Sequence, residues 1–164
     1  MKSHWHVHKF GGSSLANVER FKNVAHVLKG SEQNAIVVSA VQGVTTKLER
    51  VVEHAVKQRP YKELLADIRS VHLELIEGLM PPVHQTELKA TLQIDLNQIE
   101  ELLHSISLFH IDQPEIYEIV MGYGEQWAAQ ILSAYLSLER KTPYLCAYDF
   151  LRVEKVPEIR VLWE

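Results

Sequence analysis

The chain has 164 residues, enough for one domain and for a sizeable buried core. A net charge of −4 gives no whole-chain positive field to draw in nucleic acid or an anionic membrane, so an anionic ligand must be held by local groups. Cys146 stands alone, which excludes an internal disulfide and fits a reducing compartment. No apolar run approaches the ~20 residues that span a bilayer, and the N-terminus lacks the apolar core of a signal peptide. A cytoplasmic protein is expected, with no membrane partner.

In chain order, His6 to Phe10 is short and β-prone and runs into Gly11-Gly12, which predicts a strand ending in a turn. Leu15, Val18, Phe21, Ala25 and Leu28 recur at helical steps, with Ser13 and Ser14 suited to cap the helix start. Ala35 to Ala40 is a continuous apolar and small run, predicting a strand buried on both faces. Gly43 breaks it, and Leu48, Val51, Val52, Ala55 and Val56 mark a second helix closed by Arg59-Pro60. Strand, glycine turn and helix, twice over, predict an α/β fold with a parallel core.

Two long stripes follow. Leu64, Leu65, Ile68, Val71, Leu75, Ile76 and Leu79 lead to Pro81-Pro82, and Leu88, Leu92, Leu96, Ile99, Leu103 and Ile106 come after it. They predict a helical hairpin inserted between sheet elements. A further helix carries Ile116, Ile119, Val120, Trp127, Ile131, Leu132 and Tyr135. Gly122 and Gly124 sit in its middle at about 1 kcal/mol each relative to Ala. Tyr144 to Ala147 predicts a third strand, with Asp149 at its carboxyl end. No repeat, low-complexity tract or linker divides the chain, so residues 1–164 are expected to belong to one domain.

The chemistry lies in the turns. Gly11-Gly12-Ser13-Ser14, between a strand and a helix, presents backbone N–H groups suited to phosphate oxygens, and Lys9 stands where its ammonium can reach them. The lysine precedes the glycines, so this is not the P-loop pattern. An ordinary turn capped by serine reads equally well from these residues alone. The second strand ends in Ser39, Gly43, Thr45 and Thr46, on the same rim if the strands are parallel. Ser39 and Thr45 can donate to a carboxylate or phosphate; Thr45 or Thr46 can also simply cap a helix. Glu125, after two glycines in an apolar helix, breaks local rules as functional residues do, though a solvated helix-face glutamate fits too.

In combination these words are more specific. The order Lys9-Phe10-Gly11-Gly12-Ser13-Ser14, Val37-Val38-Ser39-Ala40 with Gly43-Val44-Thr45, helical insert, Gly122-Tyr123-Gly124-Glu125 and Asp149-Phe150-Leu151 resembles the aspartokinases of the amino acid kinase superfamily. The likeness runs from His8 to about Val153. The forms His8-Lys9-Phe10-Gly11-Gly12-Ser13-Ser14-Leu15-Ala16 and Asp149-Phe150-Leu151-Arg152-Val153-Glu154 look closest to bifunctional aspartokinase/homoserine dehydrogenases of the methionine-pathway type. The resemblance implies a three-layer α/β/α sandwich with a mainly parallel sheet and an inserted helical hairpin. It implies phosphoryl transfer from ATP to the side-chain carboxylate of L-aspartate, giving 4-phospho-L-aspartate for amino-acid biosynthesis. Lys9 would be the catalytic lysine that steadies the phosphates, Gly11, Gly12 and Ser13 the phosphate-facing turn. Ser39 and Thr45 would lie around the aspartate, and Glu125 would hold its amino group. Thr46 stands where the family often has Asn.

ATP and Mg²⁺ are implied for the complete enzyme, NADP only if the parent carries a dehydrogenase domain, and a homo-oligomeric parent is expected. The family's later Gly-Arg-Gly-Gly-Ser-Asp and Asp-x-x-Gly-Val/Ile-Tyr segments do not occur here. The chain is therefore expected to be a truncated N-terminal portion of the catalytic domain, inactive alone. Two alternatives remain: another amino acid kinase acting on a different carboxylate or carbamate, and a non-catalytic folded fragment. No metal site is expected. His4, His6 and His8 alternate on one strand face at ~6.6 Å steps, so a pair could clasp one ion but all three do not converge easily. Trp5, Trp127 and Trp163 are not interleaved with basic residues, which argues against base stacking.

Overall fold

The computed structural model describes residues 4–30, 33–109, 112–155 and 159–161. Strands β1 (His6–Phe10) and β2 (Asn34–Val38) pair in parallel, with Phe10 opposite Val38. The Ser39 N–H extends the ladder by donating to the Phe10 carbonyl at 3.0 Å. Both carboxyl ends therefore meet at one rim. Phe10, Ile36 and Val38 pack toward the helical core. Val7 and Val37 occupy the opposite face and are 73% and 53% exposed. The expectation that this strand is buried on both faces is thus not met: among the described residues, helices cover one face of the pair.

Helix α1 (Val18–Leu28) does not begin at the serines. A single 3-10 turn, Gly12–Leu15, follows β1, and the Asn17 side chain accepts the Arg20 N–H at 3.0 Å to cap α1. Ser13 and Ser14 lie inside the 3-10 turn, one step too early to reach the free amides of α1. Helix α2 (Val44–Val56) starts from Gly43, whose φ of +79° falls in the left-handed region that favours glycine. No side chain caps α2, so Thr45 and Thr46 stand within its first turn with their hydroxyls not used as caps.

Helix α2 is the centre of the core, with Val44, Leu48, Val51, Val52 and Ala55 buried. Around it stand α3 (Lys62–Leu79) and α4 (Thr86–Phe109), joined through Pro81 and the 3-10 turn Pro82–His84, and α5 (Pro114–Ser137). The predicted hairpin is present, and its apolar stripes are the buried ones: Ile68, Leu75 and Ile76 on α3, Ile99, Leu103 and Ile106 on α4. Helix α5 runs unbroken through Gly122 and Gly124.

The expected strand at Tyr144 to Ala147 is not formed. Residues 144–146 have no regular structure, and Ala147–Phe150 is a short helix, α6. A strand needs a ladder partner, and none among the described residues pairs with this segment. An antiparallel hairpin of β3 (Val153–Lys155) and β4 (Ile159–Val161) follows. No described helix is long and apolar enough to cross a membrane.

One polar side chain is sealed into the core. His72 on α3 is fully buried, its Nδ1 is 2.7 Å from the Ile68 carbonyl oxygen, and its Nε2 has no partner among the described residues. Burial holds its pKa down at about 4, against an ordinary 6.5, although the backbone bond pulls the other way. The unfolded chain therefore takes up a proton that the folded chain refuses. The stability present above pH 6.5 should fall as the pH drops toward 4, by on the order of 3 kcal/mol in total from this group. Urea melts across that range for the wild type and His72→Leu should show a shallower slope in the variant. Equal slopes would remove His72 as the source.

Candidate functional site

The parallel pairing sets two glycine turns side by side at the carboxyl rim of β1 and β2. Lys9, at the end of β1, is exposed, and its Nζ lies 3.8 Å from where a Cβ on Gly11 would stand. The ammonium is thus folded over the first turn. A Cβ on Gly12 would come 3.2 Å from the Ala40 carbonyl oxygen and 3.6 Å from the Gln42 amide nitrogen, so the two turns touch backbone to backbone. Ser13 and Thr45 are exposed and Ser39 is half-buried. Lys9, Gly11, Gly12, Ser13, Ser39 and Thr45 are therefore neighbours on one rim. In an open α/β sheet, that is where ligands sit.

Helix α5 closes the rim from the helical side. Gly124 is buried, and a Cβ there would lie 3.0 Å from Ala40 Cβ, 3.1 Å from Val44 Cγ1 and 3.3 Å from Leu48 Cδ1. These distances are tighter than most Cβ contacts in proteins, so glycine favours this close approach of α5 to the second turn. Glu125 is the next residue, exposed and without an ion pair among the described residues. The same stretch of α5 is bolted to α4. Trp127 Nε1 donates to Asp95 Oδ2 at 2.8 Å, and the Tyr123 hydroxyl donates to Gln98 Oε1 at 3.1 Å. Trp127 also meets the His72 ring edge-on at 4.9 Å between centroids. Burial pushes the Asp95 carboxyl above the usual carboxylate range, with the indole bond opposing it.

These anchors were not singled out from the sequence. Asp95 and Gln98 stand three residues apart beside the apolar stripe, a helical spacing that puts both toward one neighbour. Asn17, the true cap of α1, was hidden behind the two serines. Gly12, Ser13 and Ser14 form the 3-10 turn itself, and Ala16 and Asn17 separate it from α1, so its amides do not sit directly on the start of that helix.

Metal-binding chemistry has no cluster behind it: no group of three or more His, Cys, Asp or Glu able to hold an ion occurs among the described residues. His6 and His8 stack at 6.4 Å, and His8 Nε2 lies 3.2 Å from Asn34 Oδ1. A groove of about 690 Å³ opens at the opposite, amino end of β2, between Trp5, Lys29, Tyr135 and Lys141. Two of its lysines are already paired, Lys22 with Glu19 and Lys29 with Glu139. It lies at the wrong end of the strands for the sheet's own binding geometry.

The close approach at Gly124 is testable. In Gly124→Ala, Ala40, Val44 and Leu48 must give by a few tenths of an ångström, which should destabilise the chain by about 1–3 kcal/mol, as overpacking does. Gly30→Ala, where a Cβ meets nothing within 4 Å, is the control. It should change stability by less than about 0.5 kcal/mol. Thermal melts of both variants check the pair, and equal melting temperatures would contradict the packing described.

With this geometry established, likeness to known proteins becomes informative. The chain is 31% identical over 167 residues to bifunctional aspartokinase/homoserine dehydrogenase 2 of Escherichia coli, covering 94% of this chain and 19% of that protein. It is 32% identical over 133 residues to the chloroplastic bifunctional aspartokinase/homoserine dehydrogenase 1 of Arabidopsis thaliana, covering 79% of this chain and 15% of that one. The chain thus spans less than a fifth of either relative. Escherichia coli aspartokinase III, solved with aspartate and ADP, superposes with a TM-score of 0.70 at 22% identity, covering 80% of this chain and 28% of that one. That likeness shows a shared fold. The family model "Amino acid kinase family" matches residues 5–159. The chain belongs to the amino acid kinase family.

Proposed function

We propose that this chain carries the phosphate-facing and aspartate-facing turns of a kinase that moves the terminal phosphoryl group of ATP to the side-chain carboxylate of L-aspartate. The observation that carries this reading is the convergence of both glycine turns and the Gly124–Glu125 step of α5 on one strand-end rim. The bifunctional aspartokinase relatives support the choice of aspartate.

In this reading an aspartate side-chain oxygen attacks the terminal phosphorus, the bond from that phosphorus to the bridging oxygen breaks, and ADP leaves. The chain contributes position and charge, since phosphoryl transfer asks little covalent chemistry of a protein. The Lys9 ammonium offsets negative charge that grows on the phosphoryl oxygens. Amides of Gly11, Gly12 and Ser13 donate to phosphate oxygens. Ser39 and Thr45 hydroxyls donate to the substrate, and the Glu125 carboxylate accepts from its ammonium. Magnesium would accompany the nucleotide, but the described residues hold no acidic cluster for it, and no step is assigned to a protein-held metal. A cytoplasmic, homo-oligomeric parent belongs to the same reading, with NADP only if that parent carries a dehydrogenase domain.

Coupled ADP-release kinetics on the protein that carries this chain test the roles separately. Lys9→Met should lower kcat by roughly 10- to 100-fold with little change in KM for aspartate, because its contact strengthens in the transition state. Glu125→Gln should instead raise KM for aspartate by roughly 10- to 100-fold, the worth of a charge-assisted bond. Thr45→Val should raise it by about 2- to 10-fold without lowering the melting temperature, since Thr45 does not cap α2. Absence of any aspartate-dependent ADP release would sink the proposal, and unaltered aspartate saturation in Glu125→Gln would retire that residue's role.

A further inference from the structure

Two glycines flank Tyr123 on α5, and the rim accounts for only one of them. Gly124 faces the second turn. Gly122 faces another partner: a Cβ there would lie 2.8 Å from the Tyr148 hydroxyl oxygen and 4.0 Å from its Cζ. Any side chain at residue 122 would displace the phenol. Tyr148 belongs to α6 and is 64% exposed, so the ring leans on α5 at its hydroxyl end while its flank stays open to solvent.

The helical geometry puts Glu125 between these two contacts. At about 100° per residue, Glu125 lies about 100° round the helix from Gly124 and about 60° from Gly122 on the other side. Residues three apart bring their Cβ atoms to about 5–6 Å. The Glu125 carboxylate therefore rises from the floor of a notch. The second turn, at Ala40 and Val44, forms one wall, and Tyr148 forms the other. An ammonium held by Glu125 has further N–H donors to satisfy, and a phenol oxygen has a lone pair to offer.

We propose that Tyr148 is a specificity-determining residue, its phenol walling the notch opposite the strand-end rim and its oxygen accepting a hydrogen bond from the ammonium of an amino-acid substrate. The proposal rests on Glu125 as the carboxylate that receives that ammonium. It explains why α5 carries a second glycine at a site where helix propensity disfavours it. Docking of α6 alone would also bring the phenol to Gly122, and the two roles differ in how they respond to a ligand without an ammonium.

The test is titration of the chain with L-aspartate and, separately, with succinate, which keeps both carboxylates and lacks the ammonium. Binding is followed by amide chemical shifts in the wild type, Glu125→Gln, Tyr148→Phe and Gly122→Ala. Tyr148→Phe removes one oxygen and keeps the ring, so the fold should survive, and a melting curve checks this. Tyr148→Phe and Gly122→Ala should each weaken aspartate roughly 3- to 10-fold and leave succinate unchanged. Unchanged aspartate binding in Tyr148→Phe, beside weakened binding in Glu125→Gln, overturns the role of Tyr148 and leaves that of Glu125 standing. Equal weakening of aspartate and succinate also overturns it, reducing the contact to packing. Wild-type aspartate binding that is absent or indifferent to Glu125→Gln overturns both assignments.

Discussion

A missing side chain on α5 holds the site together. Because Gly124 has no Cβ, the helix backbone lies against Ala40, Val44 and Leu48 at distances where alanine would crowd them. That contact joins three things: the end of β2, the start of α2 and the helix that carries Glu125. The polar bonds from Trp127 to Asp95 and from Tyr123 to Gln98 fix the same turn of α5 against α4. Apolar burial supplies most of the driving force for the helical core, but it is not directional. The glycine contact and the two hydrogen bonds decide how far and at what rotation α5 meets the rim.

The rim itself follows from parallel pairing. The return through α1 brings β2 beside β1 in the same direction, so both strand ends and both glycine turns face one way. Gly43 then turns the chain into α2 from a left-handed backbone without a side-chain cap, which leaves the Thr45 hydroxyl available. The chain's net negative charge makes this economy meaningful. In the proposed reading, attraction for a phosphate comes from Lys9 and a few oriented amides, since the net charge supplies none.

Much of this was legible in the residue pattern. The helical stripes from Leu64 to Ile106 name their own buried faces, since a 3.6-residue period shows which side chains share a side. The strand at His6–Phe10 and the positions Lys9, Gly11, Gly12, Ser39 and Thr45 could be placed on one rim by assuming parallel strands. What escaped depends on contacts between distant segments. Serines at 13 and 14 look like caps, but a 3-10 turn shifts the real start of α1 to Asn17. Tyr144 to Ala147 has strand composition but no ladder partner among the described residues. The two glycines of α5 were visible as an anomaly. Their separate reasons, one toward Val44 and one toward Tyr148, appear only when α2 and α6 are seen against the helix.

The central claim is that the strand-end rim, and not the groove at the opposite end of β2, receives phosphate. Amide chemical-shift mapping during an ADP titration of the isotope-labelled chain tests it most directly. The account predicts concerted shifts at Gly11, Gly12 and Ser13, extending to Ser39 and Gly43 across the touching turns. Shifts confined to Lys22, Lys29 and Lys141 around the opposite groove, with the glycine turns silent, would contradict it.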